Sequence, residues 1–187
     1  MGFDVREKSI EEIEDKLSSI STDLNKIAYL ESALKSSGFS LEIRRFILKK
    51  LALLYGERKM FERAARAMSK KAALDVTFRE KIDSCLEAAE FFCKAGKVDD
   101  AEEMFVRAKR DANKEQLARV ELAKKNIYFV MAKEFESRGK RAGALKFYEK
   151  LVRMNLDDSE KMAVREKLKK TYKALGLFRE ARLFDGR

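Results

Sequence analysis

An all-α fold is what this 187-residue sequence predicts: an α–α superhelix of stacked helical hairpins with a two-helix cap at the N-terminus. Three observations predict it. There is no proline and there are only 8 glycines, so the commonest interruptions of a helix are scarce. The chain is 45% apolar and 40% charged, with Ala, Glu, Lys, Leu and Arg dominant, which is the mixture of amphipathic helices. Finally, one pattern occurs four times: a ring residue, a turn residue, an alanine and a large apolar or aromatic residue. The copies are Tyr55–Lys59–Ala64–Met68, Phe92–Gly96–Ala101–Phe105, Phe135–Gly139–Ala144–Tyr148 and Tyr172–Gly176–Ala181–Phe184. The alanines are 37, 43 and 37 residues apart. A period of that length is one helix–turn–helix unit, which cannot bury its apolar face alone and so stacks on its neighbour.

The elements follow in order. Residues 1–40 precede the repeats and read as two capping helices, at 10–20 and 23–36. The first opens at Ser9 with Glu12 three positions on, a spacing in which a side-chain oxygen accepts a backbone N–H and the acid reaches back. A polar break at 36–40 leads into the first hairpin, 41–76, with helices at 41–56 and 60–74. Thr77 with Glu80 opens the second, 77–113, whose helices at 78–95 and 98–111 flank Gly96. The third, 114–156, has helices at 114–138 and 141–154 around Gly139, and the extra residues of the 43-residue spacing fall chiefly in 114–138. Asp157 with Glu160 opens the fourth, 157–187, with helices at 158–175 and 178–185 around Gly176. Residues 41–187 thus read as one continuous domain of four hairpins.

Over about 41–187 the hairpins resemble tetratricopeptide repeats, whose pattern places small and aromatic residues at fixed offsets around a Gly turn. Cys85, Ala88, Ala89, Phe92, Gly96, Ala101, Phe105 and Ala108 fit best. Tyr128, Met131, Ala132, Phe135, Gly139, Ala144 and Tyr148 fit next, and then Leu48, Leu51, Ala52, Tyr55, Ala64 and Met68. The spacings exceed the family's period, and the family's tryptophan and closing proline are missing. The resemblance implies a non-enzymatic protein–protein interaction scaffold or adaptor that binds a peptide or helix in the groove of the superhelix.

Composition narrows the chemistry. With no histidine, the commonest general base and zinc ligand is gone. Cys85 and Cys93, eight apart on one helix, are separated by about 12 Å, too far for a disulfide, and read as reduced core thiols. No phosphate-cradling glycine motif is present. Gly139 and Gly143 span a charged turn, and the acidic clusters at 11–12, 99–103 and 157–158 sit at helix starts, where they complement the helix dipole. No catalytic residue, metal ligand or cofactor is therefore expected, and the protein reads as a non-enzyme. No apolar run approaches the roughly 20 residues that cross a membrane, so a cytoplasmic protein without integral membrane association is expected. One Gln and four Asn among many Lys, Arg and Glu resemble the composition of heat-adapted proteins.

The net charge is +10 and unevenly placed: residues 1–36 carry eight acids and five bases, residues 37–187 carry 24 acids and 37 bases. A basic body suits an acidic or amphipathic partner and offers the acidic N-terminal segment a surface to lie on. The groove formed by the first helix of each hairpin is expected to present Phe46, Lys49 and Leu53, then Leu86, Glu90 and Lys94, then Asn126, Phe129 and Lys133, and finally Lys170 and Lys173. Some repeats of this family clamp a C-terminal carboxylate with two Lys, two Asn and an Arg. Lys49 fits the first lysine, but Leu53 stands where the first asparagine belongs, so that clamp is rejected. The alternative is nucleic-acid or anionic-lipid binding along a ridge on the second helices: Arg66 and Lys70, Arg107 and Arg110, Lys146, Lys150 and Arg153, and Arg187. A column of cations like this is close to what chance gives at this Lys and Arg content, and no aromatic interleaves it to stack bases. Phe178 and Phe184 at the C-terminal end predict self-association there.

Overall fold

The computed structural model describes residues 5–35, 38–110 and 112–184. Among them are ten α-helices and no strand: α1 (Ile10–Ser19), α2 (Asp23–Lys35), α3 (Leu41–Glu57), α4 (Phe61–Leu74), α5 (Phe78–Lys94), α6 (Val98–Lys109), α7 (Lys114–Ser137), α8 (Arg141–Leu151), α9 (Asp158–Ala174) and α10 (Phe178–Arg182). The expected all-α class of consecutive helical hairpins holds. α8 stops three residues short of its expected end because Arg153 and Met154 bond back only three residues, to Lys150 and Leu151, and tighten the last turn. The helix expected at 178–185 likewise stops early, at Arg182, where Leu183 and Phe184 bond back three residues to Glu180 and Ala181; residue 185 lies outside the described residues.

The repeated pattern has a single physical basis, a turn made the same way four times. The backbone N–H of Met60, Lys97, Lys140 and Leu177 donates to the carbonyl of Tyr55, Phe92, Phe135 and Tyr172, at 2.8, 2.9, 2.9 and 2.9 Å. This is the Schellman closure, and it requires a left-handed residue just before the donor. That residue is Lys59 (φ 58°), Gly96 (φ 76°), Gly139 (φ 71°) or Gly176 (φ 76°). The donor residue then caps the next helix without a side-chain hydrogen bond. Ala64, Ala101, Ala144 and Ala181 follow on the inward side of that helix's first turn, all 0% exposed. A larger side chain there would hold the paired helices apart. Side-chain caps mark the starts of α1, α3, α5 and α9. Thr77 and Asp157 form full capping boxes with Glu80 and Glu160. Ser9 accepts from the Glu12 N–H, while the Glu12 carboxylate reaches back to the Lys8 N–H at 2.7 Å.

The chain divides into two compact units, Met1–Asn113 and Lys114–Arg187. In the first, α2 to α6 pack each on the next. The core holds Tyr29, Leu30, Ile47, Met68, Cys85 and Phe105, with Ile13 of α1 buried among them. Cys85 and Cys93 are both buried thiols, and burial raises the Cys85 pKa above the ordinary range. The acidic N-terminal helices are tied down by Glu14–Lys50 at 2.8 Å, Glu31–Arg63 at 3.9 Å and Asp23–Arg58 at 4.0 Å. In the second unit α7 to α10 pack in the same sequential way. Phe147 of α8 sits between Tyr128 and Phe135 of α7, with ring centroids 5.8 and 5.4 Å apart. Gly143 is held small by this packing, since a Cβ there would lie 2.3 Å from the Phe135 ring.

A polar latch recurs across both units. The buried Tyr55 donates its hydroxyl to Glu31, Tyr148 to Glu136 at 3.1 Å, and Tyr172 to Glu149 at 2.7 Å, each glutamate lying on the preceding helix. The ring fills the core while the hydroxyl finds an acceptor at its edge, so no polar group is stranded. Burial, then the adjacent carboxylate, pushes the pKa of Tyr55 and of Tyr172 up to about 12.

Candidate functional site

In each unit the first helices of two successive hairpins lie side by side and enclose a cleft. In the first unit α3 contributes Glu42, Arg45, Phe46 and Lys49 to a cavity of about 370 Å³, and α5 contributes Asp83, Ser84 and Glu87. Met68, Lys71 and Asp75 form its floor and Ile10 of α1 reaches its edge. The floor is a closed polar network. Lys71 Nζ donates to Asp75 Oδ1 at 2.8 Å and to Ser84 Oγ at 2.9 Å, and Ser84 Oγ donates to Asp75 Oδ2 at 2.6 Å. The Asp75 side chain is 0% exposed, so its charge is neutralised inside the unit and is spent on holding α4 to α5. Arg45 and Glu80 close one end at 3.6 Å. Thr77 hydrogen bonds hold the Glu80 carboxyl below its ordinary pKa. Glu87 stands on the wall, and partial burial raises its carboxyl above the ordinary value although Lys49 and Lys71 oppose the shift.

The second unit's cleft lies between α7 and α9 beside the start of α8, with a cavity of about 480 Å³. Lys133, Glu136 and Ser137 line it from α7, Arg141 from α8, and Lys167, Lys170, Thr171 and Ala174 from α9. Four cations therefore meet one carboxylate. That carboxylate, Glu136, accepts from Lys167 at 2.9 Å and from the Tyr148 hydroxyl, and Lys125–Glu160 at 2.8 Å bridges the same two helices farther along. Lys170 pairs with Glu166 on its own helix.

The two clefts share one matching place, where Glu87 lines the first and Lys167 the second; the counterparts of Lys133 and Lys170 lie outside the first cleft. The repeat alanines of one unit lie 80 residues before those of the other, as 64 to 144 and 101 to 181. By that offset Glu87 and Glu90 correspond to Lys167 and Lys170, and Leu53 corresponds to Lys133. The whole units differ likewise: residues 1–113 carry 22 bases and 21 acids, residues 114–187 carry 20 bases and 11 acids. Most of the positive excess expected over residues 37–187 lies in the second unit.

Of the expected groove residues, the structure places Phe46 and Lys49 in the first cleft and Lys133 and Lys170 in the second. Leu53 is 50% exposed but lines another hollow, beside Glu14 and Leu17 of α1. Leu86 is half-buried, and Glu90 and Lys94 pair with each other at 2.6 Å. Asn126, Phe129 and Lys173 do not line the second cleft. The expected register on α5 is off by one residue, about 100° around the helix. Asp83 and Glu87, four apart on one face, turn toward α3, and Leu86 between them turns aside. Lys71, Asp75, Ser84, Glu136, Arg141 and Lys167 were not anticipated. Their only linear signal is a shared i, i+4 spacing in part of the set, and the remainder converge from separate helices.

The expected ridge residues have mixed surroundings. Lys70, Arg110, Lys146 and Arg153 are exposed, and Arg66 is exposed and paired with Glu62 at 2.8 Å. Arg107 is half-buried and donates to Ser69 Oγ at 2.8 Å, bracing α6 on α4. Lys150 is half-buried, and Arg187 lies outside the described residues. Among the described residues no group of three or more His, Cys, Asp or Glu is placed to hold a metal. No described helix is long and apolar enough to cross a membrane.

No family model matches this chain, and neither does any curated protein. Among solved structures it is similar to the crystal structure of MamA, at 16% identity over 95% of this chain and 91% of that one, with a TM-score of 0.42. A likeness at that score adds nothing to what the helices themselves show.

Proposed function

We propose that this protein is a non-enzymatic interaction module, and that the cleft between α7 and α9 takes an acidic, amphipathic segment of a partner protein. The observation that carries this reading is the cleft's lining. Lys133, Arg141, Lys167 and Lys170 converge from three helices on a cavity whose one carboxylate is already engaged. Cations gathered around a concave surface attract and orient an anionic segment, and the ordered helices beneath them reduce the entropy lost on binding. The first unit's cleft, whose cations face five carboxylates, does not fit such a ligand.

The test is titration of the full chain against a labelled peptide of alternating acidic and leucine residues. Saturable binding is expected, and Lys133→Glu with Lys170→Glu should weaken it by roughly tenfold or more, a change of about 1.4 kcal/mol. The same reversal at Lys146 and Arg153 should leave it unchanged. Equal losses from both pairs, or RNA of equal charge binding more tightly than the peptide, would assign the interaction to the diffuse positive charge and overturn the reading.

A further inference from the structure

We propose that α9 pairs antiparallel with α9 of a second copy, making a two-fold symmetric dimer through the face of this helix turned away from the α7 cleft. Asp158, Lys161, Met162, Arg165, Glu166 and Lys169 of α9 line a cavity of about 660 Å³ together with Leu183 and Phe184. These six positions follow the i, i+3, i+4, i+7, i+8, i+11 pattern and form one stripe on the helix. The surface they make has an apolar centre: Met162 is 67% and Leu183 78% exposed, and Phe184 is stacked on Tyr172 with ring centroids 6.0 Å apart. Arg165 Nε is buried and meets no hydrogen-bond partner among the described residues.

The stripe is complementary to itself. A two-fold axis crossing α9 between residues 163 and 164 places Asp158 opposite Lys169 of the second copy and Lys161 opposite its Glu166. Met162 then lies on the aliphatic stem of the second copy's Arg165. Every acid of the stripe faces a base, and every such contact occurs twice, as an isologous interface requires. A parallel pairing would instead set each charge against its own kind, which costs rather than contributes. This self-complementarity favours a second copy over an unrelated helix as the occupant. The stripe shares no residue with the lining of the peptide cleft and meets it only where Glu166 pairs with Lys170, so Met162→Glu and Lys161→Glu test the dimer separately from the proposed function.

Sedimentation equilibrium of the full chain, from low to high micromolar, tests it. A reversible monomer–dimer equilibrium is expected, and Met162→Glu, at an exposed position, should leave a monomer with unchanged helical circular dichroism. Lys161→Glu should weaken the dimer by roughly tenfold, because it sets two like-charged pairs face to face. The exchange Lys161→Glu with Glu166→Lys restores both pairs and should bring the dimer back to within a few-fold of the original. Glu166→Lys alone, which also places a lysine beside Lys170, should weaken the dimer as Lys161→Glu does. A monomer at every concentration, a dimer indifferent to Met162→Glu, or a charge exchange that fails to rescue would each overturn the proposal.

Discussion

Glu87 shows how a single side chain reports its surroundings. Its carboxyl is raised by partial burial in the cleft wall, with Lys49 and Lys71 pulling the other way. A raised carboxylate pKa means that the folded state holds its proton more tightly than the unfolded one. The associated stability is therefore fully present below the unfolded value of 4.5 and is lost as pH rises through the folded value. Glu87→Gln removes that loss. It should raise the unfolding midpoint at pH 7 and have no such benefit below pH 4, in paired thermal melts. The gain at pH 7 should be about 0.5 kcal/mol or less, as expected for a position open to water on one side. Asp75, enclosed with Lys71 and Ser84, is a fixed part of the packing between α4 and α5.

At the scale of the element, the turn between paired helices is the unit that repeats. Three of the four left-handed positions are glycine, and the fourth, Lys59, keeps a Cβ in that conformation at φ 58°. The hydrogen bond from Met60 N–H to the Tyr55 carbonyl, at 2.8 Å, holds it there. A non-glycine residue in this region costs about 1 kcal/mol. Lys59→Gly should accordingly stabilise the protein by about 1 kcal/mol in urea unfolding, reduced somewhat by the extra freedom glycine gives the unfolded chain. The ring residue, left-handed turn and buried alanine are all legible in the sequence because they belong to one local structure that spans ten residues. That is why the helix ends could be read from the residues to within three positions. The caps at Thr77 and Asp157 are local in the same way. The reach of Glu12 to Lys8, one residue before its expected partner, could not be read, since the two backbone N–H groups differ only in where the chain enters the helix.

At the scale of the whole molecule, charge divides between the units, and the consequence is measurable. Exposed charges are screened over about 8 Å at physiological salt, so only cations gathered around the ligand should govern the salt response of peptide binding. Lys133→Ala with Lys170→Ala should flatten the dependence of affinity on salt, measured across 0.05–0.5 M NaCl, a span of about tenfold in ionic strength. Lys49→Ala with Lys94→Ala, the same loss of charge in the first unit, should leave the slope unchanged. By itself the sequence determined the all-α class, the ten helices, the four turns and the buried alanines, because each follows from contacts between residues near one another in the chain. The tertiary structure alone decided which charged side chains meet. The closed Lys71–Asp75–Ser84 network, the inward turn of Arg107, the latches from Tyr55, Tyr148 and Tyr172, and the cations around Glu136 all join separate helices. A helical pattern states that a residue faces outward. Its partner depends on the rotation of a second helix, where an error of one residue turns a side chain by about 100° and exchanges Leu86 for Glu87.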